Sequence, residues 1–186
     1  PHEICNVLGM DGVKLMADDA KRTPLKEMIT YPSCVPAVPG FEDTGAFVGP
    51  AEIAAAMKMD DVVGLGEMMN FVGVINGTDH ALGELAETQK ADLTITGHYS
   101  VPDTDRGLNA YVGAGVRCCH ESTHVGDVIA KIRLGMYAQL RYGSAWLDLP
   151  AIAPAILEQG LDTRFVNLVS DDTHPHTIVE EGNIDR

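Results

Sequence analysis

The stretch VVGLGEMMNFVGV (62–74) restricts the fold more than any other part of this chain. Its first five residues carry no polar side chain, and they are followed at once by a carboxylate, Glu67. A short apolar run of this kind suits a strand covered on both faces, as in a parallel sheet. A charge at its carboxyl end is costly unless that end faces a metal, a partner charge or a polar mouth. Four later stretches end in the same way. Residues 93–96 run into Gly97-His98, and residues 116–119 into His120-Glu121. Residues 135–141 finish on Arg141, and residues 163–169 reach Ser170-Asp171-Asp172.

Helical patterns separate these strands. Residues 3–20 read as one helix, weakened by Gly9 and Gly12. Residues 26–30 read as a strand entering a proline-fixed loop that carries Ser33 and Cys34. Residues 41–48 are loop, and Pro50 opens a helix to about Met59. Asn76-Gly77-Thr78 is a turn and N-cap before a helix over 79–89. Further helices fall over 103–114, closed by Gly113 and Gly115, and over 125–133. Residues 144–159 hold a helix split by Pro150 and Pro154, and His174 starts the last one, to Glu181. Strand and helix in alternation with short connections predict a parallel α/β protein, and a doubly wound sheet or a (β/α)8 barrel both fit. Neither GxGxxG after a strand nor GxxxxGK[ST] occurs, which argues against a nucleotide phosphate cradle.

The 186 residues suffice for one domain with a sizeable core. Net charge is −14, which disfavours nucleic acid and anionic membranes as partners. Aromatics are 5% of the chain, too few for a base-stacking platform, and no apolar span reaches membrane length. The four cysteines form no CxxC pair, which points to a reducing, cytoplasmic setting. Pro1-His2-Glu3-Ile4 has no initiator Met, so the chain is expected to be a piece of a longer protein.

At successive strand ends stand Ser33/Cys34, Glu67, His98, His120, Arg141 and Asp171. In a parallel barrel these ends open onto one face, where active sites lie. Glu67, His98, His120 and Asp171 together make an N/O donor set suited to Zn, Mn or Fe(II). His2-Glu3 is placed at the same mouth. His174-Pro175-His176 is assigned to a helix N-terminus instead of a metal site, because proline favours that position. Neither His120 with His124 nor the adjacent Cys118 and Cys119, whose side chains would point to opposite faces of a strand, is taken as a ligand pair.

The blocks PHEICNVLGMDGVKLM, YPSCVPA, VVGLGEMMNFVGVINGT, TGH (96–98), CHEST (119–123) and SDDTHP (170–175) resemble, in order, the adenine deaminases of the amidohydrolase superfamily. The resemblance runs through essentially the whole chain. It implies a metal-dependent (β/α)8 barrel, with residues 1–186 as a single, partial catalytic domain. It also implies hydrolysis of adenine to hypoxanthine and ammonia in purine salvage, with two divalent ions (Mn, Fe or Zn). A cytoplasmic homo-oligomer acting on a small molecule, with no nucleic acid or membrane partner, is the corresponding expectation. Residue by residue, Glu67 resembles the carboxylate that bridges two metals, and His98 and His120 the ligands of the second. Asp171 is similar to the last-strand aspartate that binds the first metal and shuttles protons. Glu121 is similar to a purine contact, and Ser33, Arg141 and Ser144 fall at pocket-lining positions.

The superfamily's first-strand HxH and its small β-sandwich have no counterpart in these residues. Cys119 stands where the family usually has Asp, and the loop Tyr99-Ser100-Val101-Pro102 departs from the family's pattern. Another amidohydrolase reaction, such as cyclic amide hydrolysis, and a catalytically incomplete fragment are the alternatives. A barrel without its first strand would keep seven strands and leave two edges unpaired.

Overall fold

The computed structural model describes residues 2–186. Among them six strands alternate with helices, and every described strand pairing is parallel. The expected α/β class is therefore observed, with the six strands read along the chain, where a barrel lacking its first strand would keep seven. The chain divides into two compact units: residues 2–97 with Gly113–Val116, and His98–Val112 with Arg117–Arg186.

In the first unit the single helix expected over 3–20 is two helices. Gly9 has φ +59°, in the left-handed region that glycine enters freely. There α1 (His2–Leu8) stops and α2 (Met10–Ala20) begins. Strand β1 (Ile29–Pro32) starts later than expected, because Met28 stays exposed and the Ile29 amide is the one that meets the Asp61 carbonyl, at 3.1 Å. Helix α3 (Pro50–Ala56) has Pro50 in its first turn, and Glu52 accepts the Gly49 amide at 3.0 Å.

Strand β2 (Val62–Met68) lies between β1 and β3 (Thr94–Gly97), with Tyr31 opposite Leu65 and Leu65 opposite Ile95. Leu65 and Met68 are fully buried, whereas Val63 keeps 37% of its surface, so the cover of β2 on both faces is incomplete. Gly64 has a packing reason: a Cβ there would collide with the Thr94 carbonyl oxygen of the neighbouring strand. Hydroxyls tie the strands near their carboxyl ends. Ser33 Oγ donates to the carbonyls of Gly66 (3.0 Å) and Glu67 (2.7 Å), and Thr96 Oγ1 donates to that of Leu65 (2.9 Å). A short helix, α4 (Phe71–Ile75), unforeseen in the sequence, follows β2, with Asn70 Oδ1 accepting the Gly73 amide at 2.9 Å. Helix α5 (Asp79–Lys90) closely follows its expected span.

The second unit contains α6 (Arg106–Gly113), β4 (Cys118–Cys119), α7 (Val125–Arg133), β5 (Tyr137–Arg141) and β6 (Val166–Val169). β5 pairs with both β4 and β6. The helix expected over 103–114 starts late, at Arg106. Helix α7 matches its expected bounds, because Asp127 Oδ2 accepts the amides of Thr123 (3.2 Å) and His124 (3.1 Å) and so fixes its start. The two prolines divide 144–159 into α8 (Leu149–Ile152) and α9 (Pro154–Leu157), each with proline in its first turn. The strand expected from Thr163 begins as a 3-10 turn, Thr163–Phe165, held by Asp162 accepting the Arg164 amide at 2.9 Å. Val128, Ala138, Leu140, Ile152 and Ala155 form the core under β5, and Ile129, Leu149 and Val166 pack against it. The last helix is α10 (Pro175–Glu181), with His174 at its N-cap. Among the described residues no helix is long and apolar enough to cross a membrane.

Glu84, on α5, is 1% exposed, and its Oε1 has no hydrogen-bond partner; His80 Nε2 lies 3.5 Å away. Burial pushes this carboxyl up from 4.5 to about 8. Folding therefore takes up a proton that the unfolded chain releases, and the stability so gained is complete below 4.5 and is lost as pH rises through 8. In Glu84→Gln this part of the decline disappears. Urea denaturation across that window should show a flatter pH dependence, by at most about 1.4 kcal/mol per pH unit for one proton; identical slopes would contradict the assignment.

Candidate functional site

In the second unit the chain turns out of β4 with His120 and Glu121, ends β5 on Arg141, and places Asp171 two residues beyond β6. His98 belongs to this unit and opens its first segment. Glu121 Oε1 lies 3.5 Å from His120 Nε2 and 3.6 Å from His98 Nδ1. Asp171 Oδ2 lies 4.0 Å from His120 Nε2. The two imidazoles meet edge to face, with centroids 5.2 Å apart. Asp171 has φ +57°, a left-handed conformation that a non-glycine residue holds only under constraint from its surroundings. Its Oδ1 accepts the Asp172 amide at 2.8 Å and its Oδ2 accepts Arg141 Nη1 at 2.8 Å, so both oxygens are fixed.

Arg141 is the centre of the cluster, with only 3% of its side chain exposed. Nη1 donates to Asp171 and to Glu121, while Nε (3.0 Å) and Nη2 (2.8 Å) both donate to Asp148 Oδ2. The guanidinium lies 4.9 Å from the centroid of the Trp146 ring. Burial pulls its pKa down, but hydrogen bonds to Asp148, Asp171 and Glu121 outweigh that and leave it above the usual arginine value. Lys131, buried on α7, donates to the Glu121 carbonyl (3.1 Å) and to Ser122 Oγ (3.0 Å), and thereby holds the backbone that presents Glu121. Asp148 and Lys131 were not visible as site residues in the sequence. Asp148 lies in a segment read as helix, and Lys131 looks like any charged residue of an amphipathic helix; only the tertiary fold brings them to Glu121 and Arg141.

These residues fit a divalent cation. His120, Glu121 and Asp171 offer ligand atoms that all lie within 4.8 Å of one another. An ion with bonds of about 2.1 Å sets tetrahedral ligand atoms roughly 3.4 Å apart, so a small closure suffices. Three carboxylates (Glu121, Asp148 and Asp171) surround the one guanidinium, and the Lys131 ammonium is turned to a carbonyl and a hydroxyl. The balance of charge favours a further cation, and imidazole with carboxylate suits Zn, Mn or Fe(II).

The other residues named from the sequence lie as follows. In the first unit Glu67 falls within the last residues of β2, and lines a pocket of about 60 Å³ with His2, Thr30, Pro32, Cys34 and Gly66. His2, expected near a strand end, begins α1 instead, and its Nε2 lies 2.9 Å from the Cys34 carbonyl. Burial, and then the charge of Glu67, push the Cys34 thiol up to about 12, which leaves little thiolate at neutral pH. Ser33 is buried, with its hydroxyl committed to the carbonyls of Gly66 and Glu67. In the second unit Ser144 Oγ donates to Thr177 Oγ1 (3.0 Å) and accepts the His174 amide (2.8 Å), and so secures the start of α10. Cys119 is fully buried, and its Sγ accepts the amides of Tyr99 (3.1 Å) and Glu121 (3.4 Å). The Tyr111 hydroxyl accepts the His98 amide at 3.0 Å. Cys119 and the Tyr99–Pro102 departures are thus linked: the thiol holds the loop that follows His98.

Fold and site together define a parallel α/β protein with a part-buried, acidic, histidine-bearing cluster at its strand ends. No protein-family model matches the chain. Along its whole length, however, it is homologous to proteins named adenine deaminase. It is 62% identical over 185 residues to the one from Clostridium botulinum (strain ATCC 19397 / Type A), which covers 100% of this chain and 31% of that protein. Identity is 53% over 184 residues with the Moorella thermoacetica adenine deaminase (99% of this chain, 31% of that protein). With adenine deaminase 3 of Rhizobium meliloti it is 46% over 186 residues (100% of this chain, 31% of that protein). The chain thus spans 31% of the length of the curated relatives it matches.

Cys119→Ala removes the acceptor shared by the Tyr99 and Glu121 amides and leaves a small void. Chemical denaturation should show a loss of about 1–3 kcal/mol. Cys119→Ser, which keeps an acceptor, should lose less; equal stability of Cys119→Ala and the parent would show that the thiol does not hold this loop.

Proposed function

We propose that this chain is part of an adenine deaminase, which hydrolyses adenine to hypoxanthine and ammonia. The single observation that carries the reading is the grouping of two imidazoles and two carboxylates, His98, His120, Glu121 and Asp171, in a chain homologous throughout to proteins of that name. His98, His120 and Asp171 are assigned as ligands of divalent metal, in a centre of two ions with manganese, iron or zinc as candidates. Glu67 is assigned to the same chemistry by its motif and its place at the end of β2. When bound, the metal lowers the pKa of a water so that hydroxide is available near neutral pH.

The chain's own groups supply the proton transfers and the orientation. Asp171 Oδ2, already fixed by Arg141, takes the proton from the attacking water as its oxygen forms a bond to C6 of adenine. Asp171 then returns that proton to the exocyclic nitrogen, the C6–N6 bond breaks, and ammonia leaves. Glu121 contacts the purine ring and orients it. Within this reading the strands belong to a (β/α)8 barrel of the metal-dependent hydrolase kind. The protein works in the cytoplasm, as a homo-oligomer, in purine salvage.

Asp171→Asn keeps the shape of the side chain and removes the base. Ammonia release from adenine by the purified protein should fall by about 10²–10⁴-fold, with the native circular-dichroism spectrum retained. Parent-like rates in that variant would remove Asp171 from the chemistry. A parent protein that opens cyclic amides and releases no ammonia from adenine would replace the proposed substrate.

A further inference from the structure

Arg141 was placed among the pocket-lining residues by resemblance, yet its donors are already spent. Its fork is shared by Asp148, Glu121 and Asp171, and the five donors of a planar guanidinium serve the three carboxylates at once in a fixed geometry. Both contacts to Asp148 converge on a single oxygen, Oδ2, from Nε and Nη2, so Asp148 sets the plane of the guanidinium. Its central carbon lies over the Trp146 ring, 4.9 Å from the centroid. Nη1 is thereby aimed at Asp171 and Glu121, the carboxylates that stand 4.0 Å and 3.5 Å from His120 Nε2.

We propose that Asp148 and Arg141 form a positioning pair: Asp148 anchors the guanidinium, and Arg141 presets Asp171 for the cation and holds Glu121 beside it, without itself touching substrate. The proposal rests on the metal reading given above. It follows the general pattern in which partners behind the ligands fix their direction, and in which losing such a partner costs about 10–100-fold in metal affinity or activity. Without Asp148, Arg141 is free to follow either remaining carboxylate, and the donors lose their common geometry. Because one oxygen receives both hydrogen bonds, an asparagine carbonyl can replace it, whereas an apolar side chain cannot.

The test is Mn²⁺ titration of the purified protein followed by electron paramagnetic resonance, alongside kcat and KM for ammonia release from adenine. Asp148→Leu should weaken Mn²⁺ binding by about 10–100-fold. It should also lower kcat, with a smaller rise in KM for adenine transmitted through Glu121, since Arg141 itself does not hold substrate. Asp148→Asn should recover most of both losses. Arg141→Lys keeps the charge without the fork and should resemble Asp148→Leu, and it decides the matter if the leucine variant does not fold. Unchanged Mn²⁺ affinity in Asp148→Leu or Arg141→Lys would overturn the positioning role while leaving the metal site intact, as would a rise in KM at constant kcat. A parent protein that binds no Mn²⁺ would overturn the metal reading, and the proposal with it.

Discussion

One buried guanidinium surrounded by three carboxylates sets the terms for the second unit. Removing Arg141 from water is costly, and it is tolerated because Asp148, Glu121 and Asp171 together return more than burial takes away. The same arrangement leaves more negative charge than the guanidinium neutralises, beside two imidazoles that can donate lone pairs. In the proposed reading such a site attracts a cation and holds its own donors in place before the cation arrives. The left-handed Asp171, bonded through both oxygens, is the local cost of that order.

Around this centre the chain spends ordinary groups on holding loops. Lys131 pins the carbonyl of Glu121, Cys119 collects the amides of Tyr99 and Glu121, and Ser144 joins the His174 amide to Thr177. None of these contacts is on a regular strand or helix ladder. They act on the short segments just past strand ends, where side chains are presented and where backbone groups would otherwise lack partners. In the first unit the hydroxyls of Ser33 and Thr96 do the same for the last residues of β2.

The alternation of strands and helices was legible because apolar runs ending in a charged residue repeat along the chain. Helix α7 was read to the residue from its apolar pattern, and in the structure Asp127 fixes its start. Boundaries failed where backbone geometry decides: at Gly9, whose positive φ divides a helix, and at Thr163, where a 3-10 turn replaces the start of a strand. At the site, His98, His120, Glu121 and Asp171 were legible from their strand-end positions and motifs. Asp148 was not, because nothing local distinguishes it from any other acid of a helical segment; its contact with Arg141 exists only in the tertiary fold. Ser33 and Ser144 show the reverse: motif position suggested the pocket, and the fold commits their hydroxyls to its own atoms.

The chain is homologous along its whole length to proteins named adenine deaminase, and its second unit groups imidazole and carboxylate donors. The central claim is that these donors bind a divalent cation. Crystals of the purified protein grown with Mn²⁺, measured at the manganese absorption edge, test it directly. The account predicts an anomalous peak within about 2.3 Å of both His120 Nε2 and an oxygen of Asp171; a map with no peak there, at full manganese exposure, would contradict it.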